Sequence, residues 1–374
     1  MSFCTSLRLN RRRFGATFGA SLLAGGVIPS LAQPGDALPS LAKALSPHFL
    51  FGSAVTPAQM QGSDAAFVQQ QCAVVVAENA MKPAELAAAG EGRYDFSAAD
   101  ALVDSALARG LKVRGHTLIW HNQVPAWMFV ENGQTVSRAT LIARLQRYVT
   151  DVVTHFKGRV FAWDVVNEAI SFGEGDVKTD ADGLRLSPWR TIIGPEFIAM
   201  AFRAAAAADP AALLFYNDYE TQNPRKVAAI SKLVKRLKAE GVKIDGIGHQ
   251  AHYTVTHPPM AAFEQALIAF GKLGVTQHVT ELDIALNADL MRDQVKAATP
   301  ELLALQAERY ADFFRLFIKH QSHVSAVLVW GLDDEHSWLR YWPTKRFEAP
   351  LLFDAARQPK PAFWAVLKAA AARP

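Results

Sequence analysis

The chain has 374 residues, 50% of them hydrophobic, which is enough for one large core or two modest ones. Its formal charge of +4 comes from four arginines within residues 1–32, and the rest of the chain is formally neutral. This neutrality excludes partners recognised mainly through positive charge, such as nucleic acids and anionic membranes.

Residues 1–32 have the organisation of a signal peptide. Arg11-Arg12-Arg13-Phe14 is followed by an apolar stretch rich in Gly and Ala, and then by Ser30-Leu31-Ala32, which offers small residues to a peptidase. The alternative is a membrane anchor, but the stretch is too short and too rich in glycine to span a bilayer comfortably. We therefore expect export by the twin-arginine route, which leaves residues 33–374 as a periplasmic or secreted protein.

Removal of this segment also removes Cys4 and leaves Cys72 as the single cysteine of the mature chain. An intrachain disulfide is then impossible, which is unusual for an exported protein but suits a twin-arginine substrate, since such proteins fold before export. Cys72 begins an apolar run, where a free thiol usually acts as a small buried hydrophobic group.

Strand-like runs recur eight times in the mature chain. They cover Phe49–Ala54, Ala73–Ala77, Lys112–His116, Phe161–Val166, Leu213–Asn217, Gly246–Gln250, Thr276–Glu281 and Ala326–Trp330. Amphipathic helical patterns separate most of them, at Phe96–Ala108, Arg138–Phe156, Phe197–Ala208, Arg225–Ala239, Ala261–Phe270 and Leu302–His320, and a last one covers Ala362–Ala371. This alternation, without a long linker, predicts an α/β fold: a single (β/α)₈ TIM barrel with enlarged loops after the strands.

Two carboxylates stand at the ends of predicted barrel strands. Glu168 follows Val165-Val166-Asn167, and Glu281 follows Val279-Thr280. Either string alone could be a chance loop sequence. Because the strand ends of a parallel barrel surround one mouth, the two side chains should face each other there. A proton donor opposite a nucleophile or base is the equipment for hydrolysing a glycosidic bond.

The other strand ends carry amides, imidazoles and indoles. Amides and imidazoles bind hydroxyl groups, and indole faces stack on sugar rings, so this inventory suits a neutral sugar chain. His116 with His121, or His249 with His252, could supply metal ligands, but no recognisable ligand spacing completes either pair. We expect neither a metal nor a cofactor.

Seven blocks together resemble the signatures of glycoside hydrolase family 10, the endo-β-1,4-xylanases. They are Glu78–Lys82, Arg114–His121, Trp163–Ala169, Asn217–Tyr219, Gly246–His252, Thr280–Asp283, and Trp330-Gly331 with Ser337-Trp338. They occur in the family's order and cover nearly all of the mature chain. The resemblance implies a (β/α)₈ barrel and a retaining mechanism acting on internal bonds of xylan.

The resemblance also implies roles for individual residues. Glu168 matches the acid/base and Glu281 the nucleophile. His252 and Asp283 match the pair that orients the nucleophile, and Asn167 matches the amide that contacts the sugar 2-hydroxyl. The substrate-binding matches are Glu78, Asn79, Lys82, His116, Trp120, Gln123, Gln250, Trp330 and Trp338.

Departures from the family pattern at Pro83, His249 and the charged stretch Asp333–His336 concern the outer subsites. Two alternatives remain beside the xylanase: a retaining β-glycanase acting on another β-linked glycan such as β-glucan, and a non-catalytic carbohydrate-binding barrel. The expected partner is xylan or xylo-oligosaccharide, and the protein is expected to act as a monomer without nucleic acid or, once the signal peptide is removed, membrane.

Overall fold

Eight parallel strands close into a barrel in the computed structural model, which describes residues 38–172, 177–289, 291–292 and 294–372. In chain order they are β1 Leu50–Val55, β2 Val74–Ala77, β3 Lys112–Gly115, β4 Ala162–Asn167, β5 Leu213–Asp218, β6 Gly246–His249, β7 Thr276–Ala285 and β8 Val324–Val329. Each strand pairs with its neighbours in the sequence, and β8 pairs with both β7 and β1. The predicted (β/α)₈ barrel is confirmed. The predicted signal peptide lies outside the described residues.

Ten α-helices accompany the strands within the described residues. They are α1 Leu41–Leu45, α2 Gly62–Gln71, α3 Pro83–Leu86, α4 Ser97–Ala108, α5 Arg138–His155, α6 Phe197–Ala208, α7 Pro224–Ala239, α8 Met260–Gly271, α9 Pro300–Lys319 and α10 Pro361–Ala371. Side chains cap several of their first turns: Ser137 accepts from Thr140 N before α5, and Thr299 accepts from Leu302 N before α9. No helix among the described residues is long and apolar enough to cross a membrane.

Short elements decorate the barrel mouth and the loops. A two-stranded hairpin joins Val130–Glu131 to Gln134–Thr135, and His252–Thr254 forms an extra parallel strand beside the end of β7. Single helical turns are present at Ala58–Met60, Ala126–Met128, Asp334–His336 and Trp338–Arg340, and a π-helical turn at Trp189–Ile193.

The core has an outer and an inner part. The large hydrophobic cluster includes buried side chains of α4–α8, while a small cluster around Val76, Leu328 and Trp330 lies on β1, β2 and β8. Cys72 is buried, as expected, and burial raises the pKa of its thiol to about 12. The residues described from Pro39 onward form one compact unit.

Strand β7 differs from its prediction in length. The apolar run predicted an end at Glu281, but β7 continues to Ala285 because residues 283–285 pair with the extra strand His252–Thr254. Glu281 therefore lies inside a strand, at an irregularity where the register against β8 shifts between Val279 and Leu282. Such a bulge redirects a side chain without ending the strand.

Candidate active site

Glu168 follows directly after β4 on an unusual backbone. Its φ is 56°, in the left-handed region that non-glycine residues rarely adopt and that costs about 1–3 kcal/mol. Neighbouring groups hold this conformation: Glu168 N donates to Asn217 O at 2.9 Å, and Arg185 Nε donates to Glu168 O at 3.1 Å. A strained backbone fixed in this way directs the carboxylate with little freedom.

Glu281 is held by donors at both carboxylate oxygens. Asn217 Nδ2 donates to Oε1 at 2.8 Å, and His252 Nε2 lies 3.1 Å from Oε2. The second ring nitrogen of His252 lies 2.9 Å from Asp283 Oδ2, so both nitrogens face carboxylates. An imidazolium that donates on both sides satisfies this arrangement.

The pKa values of this group follow from burial and charge together. Burial alone disfavours the imidazolium, but the charges and hydrogen bonds of Asp283 and Glu281 outweigh it and raise the pKa of His252 to about 10. Burial also opposes ionisation of Glu281, yet the His252 hydrogen bond and the His116 and His252 charges lower the pKa of this carboxyl. Glu281 is therefore kept as an anion.

A chain of amides connects the two carboxylates. Gln250 Nε2 donates to Glu168 Oε1 at 2.8 Å and to Asn167 Oδ1 at 3.2 Å. Asn217 Nδ2 in turn donates to Asn167 Oδ1 at 2.9 Å as well as to Glu281. The predicted side chains of β4, β6 and β7 thus meet in one network at the barrel mouth.

The exposure of the two carboxylates differs. The side chain of Glu281 is 6% exposed and that of Glu168 is 13% exposed, and only Glu168 borders the small cavity that Trp120, Arg185 and Trp189 also line. Glu281 is buried and accepts a hydrogen bond at each oxygen, whereas Glu168 is more accessible. The two carboxylates therefore differ in how freely they can exchange a proton.

The predicted binding residues form a second group on the β2 and β3 side. Lys82 Nζ donates to Asn79 Oδ1 at 3.0 Å and lies 5.1 Å from the Trp120 ring centroid. Gln123 Nε2 reaches the same Asn79 oxygen at 3.3 Å. Burial lowers the pKa of Lys82, although nearby carboxylates, Glu281 first, oppose this. Burial raises the pKa of Glu78, although the Lys82 charge opposes this.

His116 and the indoles complete the contacts of the mouth. His116 Nδ1 lies 3.0 Å from Asp164 Oδ2 and 3.9 Å from Glu281 Oε1, and its ring meets Trp330 edge-on at 5.4 Å. Trp338 Nε1 donates to Asp283 Oδ2 at 2.8 Å. All the predicted site residues therefore belong to the barrel mouth or its loops.

Sequence reasoning missed some contributors to the site. Asn217 lies at the end of the fifth predicted strand and in a signature block, but the sequence assigned it no role. Arg185 gave no signal, because it lies in a long loop. His121, which ends a signature block but was assigned no role, places Nδ1 3.9 Å from Glu168 Oε2, and burial lowers its pKa to about 4. The described residues contain no cluster of three or more metal-ligating side chains.

The charged stretch after β8 proves to be structural at two of its four positions. Asp333 Oδ2 accepts from Arg357 Nε at 2.9 Å, and Asp334 Oδ2 accepts from Lys360 Nζ at 2.9 Å. Both aspartates are buried. They connect the loop after β8 to the segment before α10, and their carboxylates do not face a ligand.

His249 also has a structural explanation. It is fully buried between Thr221 Oγ1 at 2.6 Å and Gln277 Oε1 at 2.9 Å. Burial lowers its pKa to about 4, so the ring is neutral at ordinary pH. The departure from the family pattern at this position therefore concerns packing behind the strands.

Comparison with known proteins agrees with the geometry. The model of glycosyl hydrolase family 10 matches residues 40–369. Endo-1,4-beta-xylanase B of Paenibacillus barcinonensis is 40% identical, over 88% of this chain and 98% of its own. A thermostable celloxylanase of Thermoclostridium stercorarium is 38% identical, over 88% and 87%. A solved intracellular xylanase of Thermoanaerobacterium saccharolyticum, a mutant in complex with xylotriose, is 38% identical, with a TM-score of 0.79 over 89% of this chain and 99% of that one.

Proposed function

Since the chain belongs to glycosyl hydrolase family 10, we propose that it is an endo-1,4-β-xylanase that cleaves internal bonds of xylan with retention of configuration. The observation that carries this proposal is the amide network that joins the ionised, buried Glu281 to the more accessible Glu168. Two carboxylates held with unequal exposure can divide the roles of nucleophile and proton donor.

We assign the nucleophile to Glu281. Its carboxylate attacks the anomeric carbon while Glu168 gives its proton to the departing glycosidic oxygen, so the first product leaves as a neutral alcohol. Water then adds to the same carbon and releases Glu281, and Glu168 takes the proton from that water. The His252 imidazolium and Asn217 hold Glu281 in place for attack throughout.

The substrate-binding roles follow from the chemistry of the cleft. Asn79, Lys82 and Gln250 offer donors for sugar hydroxyls, and Trp330 and Trp338 offer flat apolar faces. Xylose lacks the exocyclic hydroxymethyl group of glucose, so indoles close to the ring can reject glucose units by steric contact. Each such contact is worth about 10–200-fold in kcat/KM.

Action on β-glucan is the second candidate, because one of the relatives described above is named a celloxylanase. Reducing-sugar release from xylan and from β-glucan separates the two, together with kcat/KM for matched aryl β-xylobioside and β-cellobioside. The xylanase proposal expects the xylobioside to be better by at least about 10-fold. Equal values, or a preference for the cellobioside, would favour the broader β-glycanase.

Export by the twin-arginine route and action as a monomer belong to the same proposal. Export is supported by the arginines that precede a weakly hydrophobic stretch rich in glycine.

A further inference from the structure

The loop after β8 carries two indoles in stacked contact. Trp338 contacts Asp283 and His252 at the barrel mouth, while Trp342 belongs to none of the sequence patterns described above. Their ring centroids are 5.1 Å apart and the planes are inclined by 28°. Trp342 therefore covers part of one face of Trp338.

Trp338 is restrained by two further contacts. Its Nε1 donates to Asp283 Oδ2 at 2.8 Å, and its ring centroid lies 4.9 Å from that of His252, with the planes inclined by 60°. The polar edge is thus fixed by a hydrogen bond to the group that also holds His252. The stacking contact with Trp342 is what opposes a rotation of the indole plane.

Trp342 itself is close to solvent. It is 49% exposed, whereas the root of the loop is fastened by the ion pairs of the buried Asp333 with Arg357 and of the buried Asp334 with Lys360. Removing the Trp342 side chain should leave that root in place and open space beside Trp338. Without this neighbour, Trp338 keeps only the Asp283 hydrogen bond and the His252 ring contact, so its displacement costs less.

We infer that Trp342 is a positioning residue that holds Trp338 in the cleft and so sets the discrimination between xylose and glucose units. The inference rests on the proposed function, in which Trp338 excludes the hydroxymethyl group of glucose. A bound glucose unit must displace Trp338, and displacement separates it from Trp342. The stacking contact therefore adds to the steric penalty against glucose and adds nothing against xylose.

The test is the ratio of kcat/KM for aryl β-xylobioside to kcat/KM for aryl β-cellobioside. In Trp342→Ala this ratio should fall by about 2–12-fold, which corresponds to the loss of one aromatic stacking contact. Trp342→Phe keeps a flat ring and should restore most of the ratio. Tyr341→Ala removes the adjacent, more exposed aromatic ring (61% exposed) and is the matched control, with the wild-type ratio expected.

An unchanged ratio in Trp342→Ala overturns the inference, whether both activities fall together or neither falls. If Trp342→Ala does not fold, Trp342→Leu takes its place, because leucine keeps apolar bulk but has no flat face. The proposed function is judged separately, by the wild-type ratio and by xylan hydrolysis. A failure of the inference about Trp342 is therefore distinguishable from a failure of the proposed function.

Discussion

Glu281 and Glu168 differ in what surrounds each carboxylate. Glu281 receives hydrogen bonds at both oxygens from Asn217 and His252, while Glu168 accepts at Oε1 from Gln250 and faces a small cavity. The first arrangement favours a permanent anion. The second leaves room for a proton to arrive and depart, as a group acting in turn as acid and base requires.

Replacement of each carboxylate should give opposite stereochemistry with an external nucleophile. In Glu281→Ala, azide can occupy the vacated position, so an activated aryl glycoside should yield the α-glycosyl azide. In Glu168→Ala, the glycosyl-enzyme should still form from a good leaving group, and azide should then yield the β-product. The products can be assigned by NMR, and the reverse outcome would exchange the two roles.

His252 should control the acidic limb of the pH profile. Its hydrogen bond and charge lower the pKa of Glu281 against the effect of burial. In His252→Gln the charge is lost, the pKa of Glu281 rises, and protonation inactivates the nucleophile at a higher pH. The acidic limb of kcat/KM should therefore move to higher pH. His155→Gln, on α5 outside the catalytic network, is the control and should leave the acidic limb unchanged. If the acidic limb of kcat/KM were also unchanged in His252→Gln, the His252 ring would not set the pKa of Glu281.

At the scale of elements, β6 allows Asn217 to reach Glu281. A Cβ atom added at Gly248 would lie 2.1 Å from Asn217 Oδ1 and 3.1 Å from Thr280 Cγ2. Glycine in a strand often marks such a close approach. The absence of a side chain at Gly248 thus leaves space for the Asn217 amide that donates to Glu281.

Gly248→Ala should therefore impair catalysis by displacing Asn217 from Glu281. We expect kcat/KM for aryl β-xylobioside to fall by about 100-fold, since a displacement of about 1 Å at a reacting group can have this effect. Gly271→Ala, on α8 outside the hydrogen-bond network, is the control, because its added Cβ would lie 2.8 Å from the His323 side chain. If Gly248→Ala kept the wild-type kcat/KM and only its melting temperature fell, Gly248 would have a role in packing alone.

Local patterns predicted the regular elements well and the irregular ones poorly. All eight barrel strands and the helices from α4 onward were predicted, because their apolar repeats are strong. Helix α2 was missed, since it buries only Ala65, Val68 and Gln71. The strand His252–Thr254 and the extension of β7 depend on pairing between distant segments, which local patterns do not contain.

The same contrast holds in the site. Strand ends and signature blocks predicted which residues meet at the mouth. Asn217, Gly248 and Trp342 were not assigned functional roles, because each acts through another side chain. A residue that only positions another side chain leaves no chemical signature of its own in the sequence.

For the whole molecule, export is the prediction that concerns residues outside the described structure. Replacing Arg11 and Arg12 by Lys should trap the precursor in the cytoplasm, because the paired arginines are the recognised part of a twin-arginine signal. Cell fractionation with an antibody against the mature chain measures this. The control is the single Arg8→Lys variant, outside the pair, which should be exported. Normal export of the double variant would indicate the general secretory route.

The buried thiol of Cys72 has a practical consequence. With its pKa raised to about 12, Cys72 is inert toward common alkylating reagents while the protein stays folded. In a chain produced without residues 1–32, and so without Cys4, a cysteine introduced at an exposed position would be the one sulfhydryl that a maleimide can reach. Lys112 is exposed at the start of β3, at the opposite end of the barrel from the cleft. A Lys112→Cys variant would therefore accept a single dye or surface tether there and leave the mouth of the barrel open to a polymer chain.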